Sequence, residues 1–207
     1  NRILQLLGKP SQMSFHTSYE FVSGKFKPLE RLRNVEFYRD WSLPLEQLPA
    51  DEHIASASIQ FSRSVQKLRY EINVYNRSDS YNGTRHIAEW AHQLKGWAIT
   101  TRMNYTGFKG PQQSGSFIRP FADISKTLNH FNKMQLGVRY TGEINTIRPE
   151  NTDTLTATSF AFHVYEAYIK SNPALRNKWG LHYTRREDLL PYQNKLLKTD
   201  LSNNYTV

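Results

Sequence analysis

Residues 133–144 read KMQLGVRYTGEI, with Met134, Leu136, Val138, Tyr140 and Ile144 on one parity and Lys133, Gln135, Arg139, Thr141 and Glu143 on the other. In an extended chain successive side chains point to opposite faces, so this stretch reads as a β-strand with one apolar and one wet face. The same alternation recurs on both sides of it. Met13, Phe15, Tyr19 and Phe21 alternate with Ser14, His16, Ser18 and Glu20. Ala55, Ala57, Ile59 and Phe61 are followed by Leu68, Tyr70, Ile72 and Val74, each set interleaved with polar residues. Ala88, Trp90 and Leu94, then Trp97, Ile99, Met103 and Tyr105, continue the pattern. Toward the C-terminus Phe160, Phe162, Val164 and Tyr168, then Trp179, Leu181 and Tyr183, complete it, and a last strand begins at Leu201.

Punctuation between these segments predicts where the chain reverses. Asn82-Gly83 is the pair best suited to a type I′ hairpin turn, Lys95-Gly96 suggests a turn or bulge, and Asn172-Pro173 begins a short turn. Gly107–Gly115, Ile147–Thr154 and Arg185–Leu197 read as loops. Pro120 interrupts a strand over Phe117–Leu128 and predicts an edge or bulge there, because proline has no N–H for the ladder. Residues 24–52 form a long inter-strand loop. Only Asn1–Leu7 and Glu30–Leu32 tolerate a helical turn, and β-branched and aromatic residues favour strands elsewhere. The expectation is a single all-β domain over residues 1–207, an antiparallel meander of eight to ten strands forming an up-and-down transmembrane β-barrel or a segment of a larger one.

Composition bounds the chemistry. There is no cysteine, which excludes disulfides, a thiol nucleophile and Cys-ligated metal sites. The net charge of +9 favours acidic partners, whether anionic lipid headgroups, lipopolysaccharide phosphates or nucleic acid, or else marks a solvated basic surface. Tyr, Phe and Trp make up 13% of the chain, so aromatic rings carry much of the apolar surface. No stretch approaches the roughly 18 apolar residues of a transmembrane helix, so any membrane role falls to strands. The apparent strand lengths suit the ~9–11 residues of a bilayer-spanning strand better than the ~5–6 of a soluble one. Polar faces mixing Arg, Lys, Glu, Gln and His suit a wet lumen. Tyr19, Phe21, Trp97, Tyr105, Tyr168 and Trp179 lie near strand ends, where interfacial aromatic girdles stand.

The stretch Phe26–Trp41, FKPLERLRNVEFYRDW, together with Asp51-Glu52-His53 and Tyr81-Asn82-Gly83-Thr84-Arg85, resembles large outer-membrane proteins of Bacteroidota. The resemblance implies a bacterial outer-membrane location and a chain longer than this one, and it brings no catalytic residues with it.

Within the long loop, Arg33, Glu36, Arg39 and Asp40 form a charged cluster, read either as a binding or plug-like feature or as a salt-bridged loop. Asp51, Glu52 and His53 cannot all face one metal ion from a strand, so no metal site is assigned, and no cofactor is expected. There is no Gly-rich phosphate-binding signature. His86, His92, His163 and His182 have no Ser or Asp at triad spacing. The functional expectation is an outer-membrane barrel with a channel, assembly or surface-anchoring role. Its partners would be the lipid bilayer or lipopolysaccharide and proteins of an envelope complex, and no nucleic acid is expected. Two alternatives stand beside it. A soluble β-sandwich recognising glycan or protein would pack Met134, Leu136, Val138 and Tyr140 against a second sheet. A barrel-embedded hydrolase would bring a histidine to a Ser or Thr hydroxyl and a carboxylate.

Overall fold

A computed structural model describes residues 2–6, 9–26, 33–43, 48–129, 133–172, 174 and 176–206, with side chains from Ser11 onward. Eleven strands run in chain order: β1 (Arg2–Leu6), β2 (Lys9–Val22), β3 (Glu52–Arg63), β4 (Gln66–Arg77), β5 (Asn82–Leu94), β6 (Trp97–Lys109), β7 (Gln113–Leu128), β8 (Met134–Pro149), β9 (Phe160–Lys170), β10 (Gly180–Tyr192) and β11 (Lys195–Thr206). Each pairs antiparallel with its sequence neighbours, giving one up-and-down meander whose outer edges are β1 and β11. The sheet is not closed on itself among the described residues. One short helix, α1 (Val35–Asp40), interrupts the connection from β2 to β3.

The alternation segments all lie in strands, but several boundaries move. Asn82-Gly83 is not the turn: both residues open β5, opposite Asn76 and Tyr75, and the chain reverses at residues 78–81, where Ser80 has φ 71°. Lys95-Gly96 forms a two-residue hairpin, with φ of 48° and 81° closing Leu94 against Trp97. Glycine at the second position takes that left-handed conformation without a Cβ penalty. The loop expected over Gly107–Gly115 shrinks to residues 110–112, and that over Ile147–Thr154 gives way to a longer β8 and a connection over residues 150–159. Arg185–Leu197 is not a connection but most of a hairpin, turning at Gln193-Asn194. Its alternation is hidden because charges stand on both parities. Pro120 lies in a central strand, neither at an edge nor at a register shift. It keeps register with Met103 of β6, and the ladder toward β8 simply skips Arg119 and Pro120. Arg2–Leu6 is extended rather than helical, and Glu30–Leu32 lies outside the described residues.

Register divides the sheet into two faces of opposite character. One carries Glu20, Glu52, Glu71, Arg85, Arg102, Arg119, Asp123, Arg139 and Glu166 on successive strands and is the polar face. The other carries the apolar alternates. Tyr75, Phe108, Phe117, Ile147 and Tyr168 are buried on the polar face, whereas from β2 to β9 every exposed large hydrophobic strand residue lies on the apolar face. The buried aromatic side chains of β2 to β9 thus gather on the polar face, and the exposed ones on the apolar face.

The rims differ as well. One, the helix rim, carries the connections at residues 23–51, 78–81, 110–112, 150–159 and 193–194; the far rim carries those at residues 64–65, 95–96, 129–133 and 171–179.

Candidate functional site: the polar face and the helix docked on it

Asn34 starts α1 by accepting the Phe37 N–H at 2.8 Å, with Glu36 in the first turn and Arg39 in the last, each favourable toward the helix dipole. Six residues cannot hold a helix by themselves, so its position comes from docking. Trp41, just past the helix, sits with 3% exposure among Tyr75, Tyr81, Phe108, Phe117 and Ile147, and Phe37 packs edge-on against Tyr75 at 5.4 Å. The Tyr81 hydroxyl donates to the Trp41 carbonyl. Gly83 makes the seat possible: a Cβ there would stand 2.8 Å from Trp41 Cε3.

Charges fasten the same segment. Asp40 accepts from Arg119 at 2.7 Å and pairs with Arg85 at 2.8 Å, bridging β7 and β5, and Arg119 also meets Glu143 of β8 at 3.3 Å. Arg33 pairs with Glu20 of β2 at 2.9 Å and Glu52 of β3 at 3.5 Å. Arg77 joins Glu52 at 3.2 Å and Asp79 at 2.9 Å, and donates to the Leu48 carbonyl at 3.0 Å. The hydrogen bond from Arg77 holds the Asp79 carboxyl below the usual aspartate range, and burial pushes the Tyr81 hydroxyl far above the usual tyrosine value.

Of the four predicted loop residues, Arg33 and Asp40 therefore reach the sheet, whereas Glu36 is exposed and Arg39 keeps a 66% exposed side chain with only a 3.8 Å approach to Asp40. The cluster is not internal to the loop. Its main partners, Glu20, Glu52, Arg85 and Arg119, come from the polar face, and alternation alone did not nominate them. The signal that could have found the socket is parity: Tyr75, Phe108 and Phe117 break the polar side of their strands, and a glycine faces Tyr75 across the ladder.

Beyond α1 the polar face stays open. Arg139 pairs with Asp123 at 2.7 Å and Glu166 at 3.6 Å, Glu166 meets His182 at 3.0 Å, and the Tyr168 hydroxyl donates to Asp123 at 2.9 Å. Tyr168 is thus only 4% exposed and does not belong with the aromatics of the other face. The whole set read as the apolar side of β9, Phe160, Phe162, Val164 and Tyr168, stands on the polar face, and Ala161, Tyr165, Ala167 and Ile169 carry the apolar one. A groove here is lined by Gln60, Lys67, Arg69, Glu89, Thr100 and Arg102.

The apolar face is the counterpart. From Phe21 to Met13 on β2 through Ile169 to Ala161 on β9, its band holds no Asp, Glu, Lys or Arg apart from Lys126 at the far-rim end of β7. Val138 is 56% exposed and Phe15 69%, and among the described residues no second layer covers them. Three histidines of the band are each paired with a tyrosine: Tyr19 with His53 at 2.8 Å, Tyr70 with His86 at 2.7 Å and Tyr140 with His163 at 2.8 Å. By register Ala161 lies in the same cross-strand row as Thr17, so between β2 and β9 the band slides four residues along the strands, from Phe21 to Thr17. Tyr19, Phe21 and Tyr105 stand toward the helix rim and Trp97 and Trp179 toward the far rim, all exposed. On β10 the band stops at Leu181 and Tyr183, since Arg185 and Glu187 follow, with Lys198 of β11 at 3.0 Å from Glu187.

Neither alternative chemistry assembles among the described residues. His53, His86 and His163 bond tyrosines, His182 bonds Glu166, and His92 Nδ1 has no partner, so none joins a Ser or Thr hydroxyl to a carboxylate. Glu52 and His53 point to opposite faces, and Asp51 instead accepts the Gly24 N–H at 2.7 Å. No family model, curated protein or solved structure matches the chain.

Proposed function

We propose that this chain forms the wall of a bacterial outer-membrane β-barrel whose polar face lines an aqueous passage narrowed by the α1 segment. The observation that carries the reading is the exposed, almost uncharged apolar band that crosses eight consecutive strands while charges crowd the opposite face. A water-facing sheet of this breadth would expose far more contiguous apolar surface than the few hundred Å² that soluble monomers show. Hydrocarbon accepts that surface without cost, and antiparallel strands of 11–16 residues over β2–β11 exceed the roughly 9–11 needed to cross it. The slant of the band is the course expected where strands tilt from the membrane normal. The charges of Arg185, Glu187 and Lys198 mark where the β10–β11 hairpin leaves the band toward the helix rim. A sandwich would need a second layer over Val138 and Phe15, whereas the described strands all belong to a single sheet.

The test is partition. A chain of this kind stays with the outer-membrane fraction after alkaline extraction and migrates faster on gels when unheated than when boiled. Recovery in the alkaline supernatant with one mobility would refute the reading.

A further inference from the structure

The far rim has a charge imbalance that the rest of the chain lacks. Arg63 ends β3, Lys95 lies in the β5–β6 turn, Lys126 nears the end of β7, Lys133 precedes β8, and Lys170, Arg176 and Lys178 flank the β9–β10 connection. None of the 18 acidic residues of the chain falls within residues 61–67, 93–98, 125–137 or 168–182. The helix rim, in contrast, mixes both signs, with Asp51, Asp79, Glu150 and Asp153 among its connections. Like charges gathered without counter-charge repel one another, so a rim built this way is stabilised by an anionic surface laid against it.

The surroundings of these cations identify that surface. Leu94, Trp97, Trp179 and Leu181 are exposed beside them and continue the apolar band to the rim. The Lys126 ammonium lies 4.9 Å over the Trp97 ring while donating to the Lys95 carbonyl at 2.9 Å, its aliphatic stem on apolar surface and its head at the edge. Cations above and greasy aromatic rings immediately below are the layering of a phospholipid interface, where phosphates overlie acyl chains. A nucleic-acid duplex, its bases already stacked, would neutralise the cations but leave the rings in water.

We infer that the far rim is a docking surface for anionic phospholipid headgroups, held by Lys95, Lys126, Lys133 and Lys178 with Trp97 and Trp179 at the acyl boundary. The inference rests on the barrel reading for its orientation. It adds which end of the wall meets lipid phosphate, and through which side chains. The phospholipid source is chosen because the longest connection, residues 23–51, lies on the opposite rim, and in outer-membrane barrels the long loops stand away from the phospholipid leaflet.

The experiment folds the full chain into vesicles of phosphatidylcholine alone or with about one third phosphatidylglycerol and measures the ratio of bound protein. The unaltered chain prefers the anionic vesicles. Combining Lys95→Gln, Lys133→Gln and Lys178→Gln, three exposed side chains, lowers that preference by about fivefold per charge, on the order of a hundredfold together. The matched set on the helix rim, Lys25→Gln, Lys109→Gln and Lys195→Gln, leaves it nearly unchanged. Equal losses from both sets overturn the inference, because net charge alone then explains the binding. Spanning both vesicle types equally overturns it while the barrel reading stands. Preference for anionic vesicles with full release by alkaline carbonate upholds the rim and removes the barrel. Displacement of the vesicles by a DNA duplex at matched charge overturns it in favour of nucleic acid.

Discussion

Gly83→Ala tests whether α1 is held on the polar face by its aromatic socket. The added Cβ would stand 2.8 Å from both Cε3 and Cζ3 of Trp41 and 3.2 Å from the Tyr81 hydroxyl oxygen. Carbon atoms rest at about 3.5–4.0 Å, so the indole must retreat by roughly 0.7–1.2 Å, and the Trp41 carbonyl that accepts from Tyr81 moves with it. Overpacking of this size costs about 1–3 kcal/mol. Replacing glycine inside a strand returns roughly 0.5–1 kcal/mol through the unfolded chain, and that gain applies to the sheet whether or not the loop is docked. Docking alone therefore weakens by the full overpacking cost of about 1–3 kcal/mol, or a factor of about 5–150 in the undocked population. Tryptic cleavage after Arg39 reads that population directly, since the side chain is exposed but α1 must open before the backbone enters a protease. Cleavage should accelerate by the same factor of about 5–150. Trp41→Leu in the Gly83→Ala background should cost less than Trp41→Leu alone, because the smaller side chain vacates the contested space. An unchanged cleavage rate, or two costs that simply add, would refute the reasoning.

Asp40→Asn removes the one carboxylate that bridges Arg85 and Arg119, each held within 2.8 Å of it. Docking should weaken by about 1.5–3 kcal/mol, with less loss in an Arg85→Gln background, as a double-mutant cycle on the same cleavage assay would measure. Ile59→Arg and the neighbouring Ser58→Arg separate the faces: the first should lower stability in lipid by about 2–4 kcal/mol and the second by far less, as urea unfolding from vesicles reports. Equal effects would remove the distinction between lipid and lumen. Acid should loosen residues 78–81 before the strands. The Asp79 carboxyl is held below its unfolded value, so its contribution is complete above the ordinary aspartate range and is lost as pH falls through the lowered value. Hydrogen exchange at Tyr81 should rise there in the intact chain and already be fast at neutral pH in Asp79→Asn.

Much of the architecture is local information. Alternation at Met134–Ile144 or Ala55–Phe61 depends only on the two-residue period of an extended chain, so it reveals strands, their wet and greasy sides, and an antiparallel meander when the links are short. Local signals fail where two influences compete. Asn82-Gly83 has turn chemistry, yet its glycine serves in β5 as the flat seat for Trp41, and Ser78–Tyr81 make the turn. The β10–β11 hairpin carries charge on both parities, so its period vanished from view although its register is continuous but for one shift at Asp188/Leu189.

From its amino-acid order alone this chain determined most of its strands and, from β2 to β8, the division of their side chains into two chemistries, because both follow from neighbours a few residues apart. On β9 apolar residues stand on both parities, and alternation could not say which side is wet. Tertiary structure decided that eleven strands make a single layer, that the charged side is the sheltered one, and that Asp40 finds an arginine 79 residues away on β7. Those outcomes depend on how the strands pair and where α1 lands on the sheet. Such long-range geometry is set by the sum of many pairings, and no short stretch of residues records it.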